Sequence, residues 1–291
     1  MFSFLVKSKV ALVGFCLVGF WITIALFAND CIITPACWAN KSLQEPIPWL
    51  ARYSPNQQFR GEAMQPSSAK HWLGTDRNAR DIWARLAVGS RPILLLAPIS
   101  VILAMLIGGT MGVTAGYFGG ILDEVLMRFL DAVLAFPSIL LYMVIIAALG
   151  PSPLNILIAI TVSGSPGIAR LVRGLTLDLK TRDYVAAAKT RGESSLYIMF
   201  IEILPNARGP IIVDGMLRIG YAVFSIGTLG FLGLGLPPPS PDWGSIVNTG
   251  RQLIQLGRPE SAIFGSAAIA MLVIGFNLIS DGLTEESNRY N

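Results

Sequence analysis

Charged residues are scarce in this sequence, and the residue types that build catalytic and metal sites are scarcer still. Asp, Glu, Lys and Arg make up 14% of the 291 residues, whereas soluble globular domains contain about 25%. There is a single histidine, no nucleophile can be paired with a base, and no Cys/His/Asp cluster has metal-ligand spacing. The sequence also lacks G-x-x-x-x-G-K-[ST], which excludes a P-loop for ATP. These absences predict a non-catalytic protein without a cofactor of its own.

Hydrophobic runs of about 20 residues dominate what is present. Hydrophobic residues make up 53% of the chain and its mean hydropathy is +0.60; a run of this length crosses about 30 Å of hydrocarbon. The sequence shows neither the short alternating strands of an outer-membrane barrel nor a solenoid repeat. It predicts an all-α integral membrane protein with six transmembrane helices, at about 10–28, 93–116, 132–150, 153–172, 217–236 and 261–280.

The distribution of Lys and Arg predicts the orientation of these helices. Segments assigned to the cytoplasm hold twelve such residues, Arg218 among them, and the short external loops hold two. Basic residues are retained on the cytoplasmic side, so both termini are predicted to be cytoplasmic, and the +4 net charge gives no indication of nucleic acid. The first run follows Lys7 and Lys9 and could be a signal peptide. Its length of about 19 residues exceeds the usual 7–15, which favours a retained helix.

The long loop after the first helix is predicted to be external. Cys31 and Cys37 could form a disulfide in an oxidising compartment, although two free thiols fit the spacing equally well. His71 stands alone there and is expected to be an ordinary surface residue. The predicted organisation is a cytoplasmic end and first helix (1–28), an external loop with an interfacial helix (29–92), a transmembrane domain (93–283) and a cytoplasmic tail (284–291).

An amphipathic segment closes that external loop. Ile82, Trp83 and Leu86 share one helical face, opposite Arg80 and Arg85. This pattern predicts a helix lying at the outer membrane interface. It would serve either as a platform for a partner or only as a membrane anchor.

Ionisable side chains are nearly absent from the predicted spans. The stretches 93–122, 132–177 and 219–241 contain no Asp, Glu or Lys, and their only arginines are Arg170 and Arg173. Proton-coupled carriers need such groups within the bilayer, so a proton-driven carrier is disfavoured. A sodium carrier, which can use backbone carbonyls, is not excluded. If transport is driven, its energy must come from another subunit.

Three local features of the spans lead to separate expectations. Pro137 lies inside the third span and should kink it. Gly227 and Gly230 belong to a glycine-rich fifth span that should pack closely, with a helix of a partner permease as one candidate neighbour. The segment 240–258 is too polar to cross the membrane and too apolar for open water, so it should fold back onto the bundle, as a gate or as a lid over helix ends.

A polar, alanine-rich segment, 178–208, separates the fourth and fifth spans on the cytoplasmic side. Thr181 or Asp183 can N-cap a helix over about 184–191, and Gly192 suits the left-handed position that ends it. A helix of two turns is marginal alone in water and needs packing to persist.

A second short helix is predicted after Gly192, beginning at Ser194 or Ser195 and ending near Pro205. The alanines of the first helix would let a partner approach closely, and Tyr184 could anchor in a partner's pocket. From the residues alone, a plain connector between two spans is the simpler interpretation.

The segment resembles the "EAA" coupling loop of binding-protein-dependent ABC importer permeases, whose pattern is Glu-Ala-Ala, three residues, Gly and a later Leu-Pro. Ala186 stands where that family has its glutamate, which removes a possible salt bridge to the ATPase. The resemblance implies that the ATPase-coupling residues are Asp183, Tyr184, Ala186, Ala187, Ala188, Arg191, Gly192, Glu193, Leu204 and Pro205.

Four other segments are similar to those of the peptide, oligopeptide and nickel permeases within that family. They are HWLGTDRNARDIWARLAVGSR (71–91), AGYFGGILDEVLMRFLDAVLAFPSILL (115–141), FLGLGLPPPSPDWG (231–244) and FNLISDGL (276–283). Ala79, Ala84 and Ser280 replace the usual Gly, Ser and Gly, and Thr284-Glu285 replaces an Arg-Asp pair. The resemblance covers the chain after about residue 70, and the single helix before a long external loop fits the C-type subunit.

The resemblance implies a type I ABC importer permease fold in the bacterial cytoplasmic (inner) membrane. The chain would form a pore with a second homologous permease and take di- or oligopeptides into the cytoplasm. Two ABC ATPases would bind ATP and Mg²⁺, and a periplasmic or lipid-anchored solute-binding protein would deliver the substrate. Nickel complexes, glutathione-like peptides and oligosaccharides remain open as substrates. The alternative from another class is a self-sufficient carrier or channel that works without ATPases.

Overall fold

The structure, a computed structural model, describes residues 8–28 and 50–289; Cys31 and Cys37 lie outside these ranges. The main helices are α1 (Lys9–Phe27), α2 (Ile82–Phe118), α3 (Gly120–Leu134), α4 (Ser138–Leu149), α5 (Pro153–Leu179), α6 (Asp183–Thr190), α7 (Ser195–Asn206), α8 (Arg208–Phe231), α9 (Trp243–Ile254) and α10 (Glu260–Arg289). Five of them, α1, α2, α5, α8 and α10, are long and apolar enough to cross a membrane, and α3 with α4 provides up to one more crossing. The predicted all-α membrane fold is confirmed.

The third crossing is broken where the sequence predicted one kinked helix. Helices α3 and α4 meet at 85°, and Pro137 lies between them in an extended conformation, with φ −55° and ψ 128°. Proline disfavours the helical conformation for the residue before it, so the helix stops instead of bending. The predicted span 132–150 is therefore wrong in form, because the 12 residues of α4 rise only about 18 Å.

Two ion pairs hold α3 against α5. Arg173 donates to Asp123 through Nε and Nη2, at 2.5 and 2.6 Å, and Arg170 contacts Asp131 at 2.5 Å. The two arginines that the sequence leaves within its apolar stretches are thus both paired with carboxylates of the neighbouring helix.

The fifth crossing begins nine residues earlier than predicted, because α8 runs from Arg208 to Phe231. Arg218, assigned above to a cytoplasmic loop, lies inside this helix together with Asp214. The helix of the fifth span therefore contains an acidic and a basic side chain before the stretch 219–241, which has none. The expected close packing of its glycines is confirmed within the chain, since a Cβ on Gly227 would lie 2.8 Å from Ile269 of α10; packing against a partner helix stays a prediction.

Helices α2 and α5 form the most extensive helix pair, along a seam of small residues. Gly108 and Gly112 are four residues apart and face the backbone carbonyls of Ser165 and Ala169 on α5. A Cβ atom would come within 2.3 Å of the first carbonyl oxygen and 2.4 Å of the second. Only glycine permits this approach, and small residues allow membrane helices to pack backbone to backbone. The seam makes the two helices one structural unit.

His71 joins the external loop to the start of α2. It is 2% exposed, so the expectation of an ordinary surface residue is wrong. Its Nδ1 lies 2.8 Å from Asp81 Oδ2 and its Nε2 lies 2.9 Å from Glu62 Oε2. Asp81 also caps α2 by accepting from the Ala84 N–H at 2.8 Å. The histidine therefore ties two parts of the loop to the first turn of the helix.

The predicted interfacial helix is the outer end of α2 and is continuous with the second span. Arg85, assigned to its polar face, is 4% exposed and donates to the carbonyl of Pro55 and to Asn56 Oδ1, both at 3.2 Å. Because loop residues cover this side, the segment does not lie flat on a membrane surface.

Helix α9 folds back onto the bundle, as the composition of 240–258 predicted. Trp243 is 1% exposed, donates to the Leu86 carbonyl at 2.9 Å and lies with its ring centroid 4.6 Å from that of Trp21. Ile246 and Leu253 are buried on the same side, whereas Ile254 is 52% exposed. One apolar face thus fixes α9 against the bundle, where it packs mainly on α10 and α8, and Trp243 adds contacts with α1 and α2.

Asp242 caps the first turn of α9 and is buried, with 3% of its surface exposed. Its Oδ1 accepts from the Gly244 N–H at 3.1 Å. Its Oδ2 occupies the space that a Cβ on Gly230 or Gly235 would fill. Loss of water around the carboxylate raises the pKa of Asp242 to about 6, against the lowering effect of nearby backbone N–H groups.

This carboxylate is expected to make the stability depend on pH. An acid whose pKa is higher in the folded state binds its proton more tightly there, so its contribution is present at low pH and is lost as the pH rises to about 6. Between pH 5 and 7 the free energy of unfolding should fall by about 1 kcal/mol through this group. Asp242→Asn should remove that component, as measured by unfolding of the purified protein at several pH values.

The exposed Asp183 provides the matched control, since Asp183→Asn changes the same functional group without burial. Its pH profile should follow that of the unsubstituted protein. Identical pH profiles for Asp242→Asn and the unsubstituted protein would contradict the assignment.

Candidate coupling site

The segment 178–208 forms a helical elbow, made of α6, the corner at Gly192 and α7. Arg182 is the N-cap of α6 and makes no side-chain capping hydrogen bond. Neither predicted cap is correct: the Thr181 hydroxyl donates to the Asp178 carbonyl at 2.8 Å, and Asp183 is the first residue of the helix. In that first turn its carboxylate still interacts favourably with the helix dipole.

The corner has the left-handed conformation that the sequence predicted. Gly192 has φ +79°, and its N–H donates to the Lys189 carbonyl at 3.0 Å. The next N–H, of Glu193, donates to the Ala188 carbonyl at 3.2 Å. These bonds satisfy the last carbonyls of α6 and direct the chain into α7.

Replacement of Gly192 by alanine is expected to strain the elbow. A Cβ there would have no atom within 4 Å, so the cost is conformational, about 1–2 kcal/mol for an L-residue in this region. Gly192→Asn should cost less, because asparagine tolerates the left-handed conformation. Proteolytic cleavage of the elbow in membrane vesicles should become about 5–30 times faster for alanine.

The control is Gly174→Ala, on α5, where an added Cβ also meets nothing and the backbone is helical. Cleavage at the elbow should not change in that variant. Equal cleavage rates for Gly192→Ala and the unsubstituted protein would show that the corner does not need glycine.

The second arm, α7, has an irregular interior. Ser194 caps it by accepting from the Tyr197 N–H at 3.2 Å, which confirms one of the two predicted starts. Residues Ile198–Ile203 form a π-helical turn, and the helix continues through Pro205 to Asn206. Such wide turns within α-helices are frequent at functional sites.

The inner face of the elbow is buried against the transmembrane helices. It consists of Val185 and Ala188 on α6 with Ile198, Met199 and Ile203 on α7, each no more than 2% exposed. These side chains pack in one cluster with Val113 of α2 and with Ile168 and Val172 of α5. Ala188 therefore faces its own bundle, and the predicted three-alanine surface for a partner is reduced to Ala186 and Ala187.

The outer face of the elbow remains exposed. We use this name for Asp183, Ala186, Ala187, Arg191, Gly192, Leu196, Tyr197, Phe200 and Ile201, which are all exposed. Its apolar part was missed by the sequence analysis: Leu196 is 66% exposed and Ile201 56%. The signal was present, because after the cap at Ser194 these apolar residues recur at intervals of three and four. An apolar surface of this kind marks a site of contact with another protein or with a membrane surface.

Polar contacts fix the elbow in place. Arg191 Nη2 donates to Glu202 Oε1 at 3.2 Å, across the corner, and its Nε lies 3.6 Å from Glu193 Oε1. Lys180 Nζ donates to the Gly116 carbonyl at 2.7 Å, which joins the elbow to the end of α2.

The remaining predicted coupling residues differ in their exposure. Tyr184, predicted to enter a partner's pocket, is half-buried against its own chain, and burial raises the pKa of its hydroxyl. Leu204 is also half-buried, whereas Pro205 is exposed beside a cavity of about 660 Å³ between α5 and α8. Within residues 8–28 and 50–289, no group of three His, Cys, Asp or Glu could hold a metal ion. The exposed outer face and the buried inner face of the elbow are suited to binding another protein.

Comparison with known proteins gives consistent matches over most of the chain. The family model described as "Binding-protein-dependent transport system inner membrane component" matches residues 108–289. The dipeptide transport system permease protein DppC of Alkalihalophilus pseudofirmus is 39% identical over 284 residues, which cover 98% of this chain and 87% of that protein. The glutathione transport system permease protein GsiD of Pectobacterium atrosepticum is 42% identical over 220 residues, 76% of this chain and 72% of the relative. The probable D,D-dipeptide transport system permease protein DdpC of Escherichia coli is 40% identical over 238 residues, 82% and 80% of the two chains.

Proposed function

Because the chain belongs to the family of binding-protein-dependent transport system inner membrane components, we propose that the outer face of its elbow is where ATPase subunits drive import. The chain is the non-catalytic permease subunit of an ABC importer and a multi-pass protein of the inner membrane. ATP and Mg²⁺ are bound by the partner ATPases. A conformational change in those ATPases must therefore be transmitted to the transmembrane helices of this chain.

The observation that carries the proposal is the two-sided character of the elbow. Its outer face is exposed and partly apolar, while its inner face is buried against α2 and α5. A force applied to the outer face is therefore transmitted to two helices that the glycine seam holds together. A loop that merely connected two spans would need no buried inner face.

The mechanism we infer is alternating access. Closure of the ATPase dimer around ATP moves the elbow, which tilts α2 with α5 and opens the pore to the outside. Such a shift requires that the ATP-bound partner bind one state of the permease more tightly than the other. Hydrolysis then returns the pore to the inward-facing state.

The partners follow from this mechanism. The pore is completed by a second, non-identical permease, two ATPases bind the two elbows, and a periplasmic or lipid-anchored binding protein delivers the substrate. Both termini of this chain are cytoplasmic in this arrangement, as the distribution of Lys and Arg supports.

The substrates we propose are di- and oligopeptides. The relatives are named for dipeptides, for glutathione and for D,D-dipeptides, which share a short peptide backbone and at least one free carboxylate. These names support the class without choosing among its members.

Reconstitution tests the proposal against a self-sufficient carrier or channel. Proteoliposomes containing this permease, its second permease, the ATPases and the binding protein should take up a labelled dipeptide only with ATP. Omission of the ATPases or of the second permease should abolish uptake. Uptake by this chain alone, without ATP, would overturn the importer assignment.

A further inference from the structure

An ion pair lies near the middle of α8. Asp214 and Arg218 are four residues apart and in contact through Oδ2 and Nε. From Arg208, where the helix begins, Arg218 is about 15 Å along the axis, and about 20 Å of helix follow it. Helix α8 is long and apolar enough to cross a membrane, and charged side chains within membrane-spanning helices are costly and usually mark the path of a substrate or ion.

The guanidinium of Arg218 has donors to spare. Five N–H groups are available on an arginine side chain, and its contact with Asp214 uses Nε. Nη1 lies 3.5 Å from the Gly164 carbonyl, a long hydrogen bond. Within the described ranges, its Nη1 and Nη2 groups donate to no other acceptor. A Cβ on Gly167 would lie 3.0 Å from Nη1, so the group rests in a shallow notch of α5.

A cavity of about 210 Å³, lined by both polar and apolar groups, adjoins this guanidinium. Residues with hydroxyl groups line it from four helices: Ser100 on α2, Ser138 and Tyr142 on α4, Ser163 on α5, and Tyr221 and Ser225 on α8. Ser225 donates to the Tyr221 carbonyl at 2.8 Å, which leaves its oxygen free to accept. Ser138 and Tyr221 are exposed at the rim, beside the break between α3 and α4. Lipid cannot satisfy such a wall, so its open side faces protein or water.

We propose that this cavity binds the carboxylate end of a peptide as it passes through the pore, an inference that rests on the function proposed above. Arg218 would bind the carboxylate with two parallel hydrogen bonds, the arrangement for which arginine is suited. The serine and tyrosine hydroxyls would hydrogen-bond to the first peptide group. Asp214 positions the guanidinium and neutralises it when the site is empty.

The size of the cavity indicates half of a site. Pockets for whole small ligands measure about 300–1,000 Å³, whereas this one has about 210 Å³. The second permease would provide the other wall, and the side chains of the peptide would lie in the space between the two subunits. Binding of the common backbone and carboxylate accommodates peptides of different sequence.

Charge-neutral variants in the reconstituted importer separate binding from a structural role of the ion pair. Arg218→Gln should lower uptake of a labelled dipeptide about tenfold or more, the effect of losing hydrogen bonds to a charged group. Asp214→Asn/Arg218→Gln, which leaves no unpaired charge, should remain equally impaired. Asp214→Asn alone, which keeps an oxygen that can accept from Arg218 Nε, should be impaired less than Arg218→Gln. ATP hydrolysis stimulated by the loaded binding protein should persist in all three.

Recovery of uptake in the double variant to within about twofold would overturn the proposal, because it would show that Arg218 serves only to balance Asp214. The control is Arg128→Gln, which breaks an exposed ion pair of the same i,i+4 spacing, with Glu124 at 2.7 Å, and should not change uptake. As a second measurement, a dipeptide with a photoreactive side chain should label residues around this cavity in the unsubstituted importer. Labelling elsewhere only would also overturn it. Failure of the unsubstituted importer to use ATP would instead contradict the proposed function.

Discussion

Ala187→Trp is expected to abolish ATP-driven uptake while leaving the permease folded in the membrane. Ala187 is exposed on the outer face of the elbow, and its buried neighbour Ala188 faces the other way. A bulky ring at position 187 would hold the ATPase away from the elbow without disturbing the core. Loss of a central interface contact costs 2 kcal/mol or more, so ATPase binding should weaken about 30-fold or more. Co-purification of the ATPases and uptake into vesicles measure the two effects.

Ala187→Ser provides the control at the same position, because it changes polarity without adding bulk. Its uptake and ATPase binding should remain near those of the unsubstituted protein. If Ala187→Trp retained both, the outer face of the elbow would not be the coupling surface.

Trp243→Ala is expected to cause the largest loss of stability among single substitutions considered for this chain. The indole is buried between α1 and α2, with its N–H bonded to the Leu86 carbonyl. Truncation of a buried tryptophan to alanine costs about 3–5 kcal/mol. The contact of α9 with α1 and α2 should then loosen while its packing on α10 and α8 remains, and the detergent-purified protein should unfold at a clearly lower temperature.

Trp72→Ala serves as the comparison, since Trp72 is 48% exposed. Its substitution should cost about 1 kcal/mol or less. An equal destabilisation by the two substitutions would show that α9 is not held by Trp243.

The membrane fold could be predicted because hydrocarbon imposes a length on each apolar run. The broken third crossing could not, since hydropathy reports composition and not direction: the last residues of α3 and all of α4 read as a single apolar span. The position of Arg218 was missed for a related reason. Arg218 stands at the start of the apolar run, where a single charge is typical of the adjoining loop. Its ion pair with Asp214, one turn earlier on the same helix, becomes apparent only in the structure.

The features of the elbow that depend on local backbone conformation could be predicted from the sequence, whereas those that depend on tertiary packing could not. Gly192 and Ser194 have roles that follow from backbone geometry, and both are confirmed. The burial of Ala188 depends on side chains of α2 and α5 that are far away in sequence. His71 is similar, because its two carboxylate partners lie nine and ten residues away with no periodic pattern to connect them.

The 37 residues of α2 extend about 55 Å, from the His71 cluster at one end to the elbow contact at Gly116 at the other. Pro92 and Pro98 lie within this helix without interrupting it. A tilt of such a rod displaces its two ends in opposite directions. In the proposed importer, a binding protein docked near the His71 end and an ATPase bound to the elbow would therefore influence each other's affinity for the permease. If nucleotide binding to the ATPases changes the affinity of the permease for the loaded binding protein by some factor, docking of the loaded binding protein must change the affinity of the ATPases for nucleotide by the same factor.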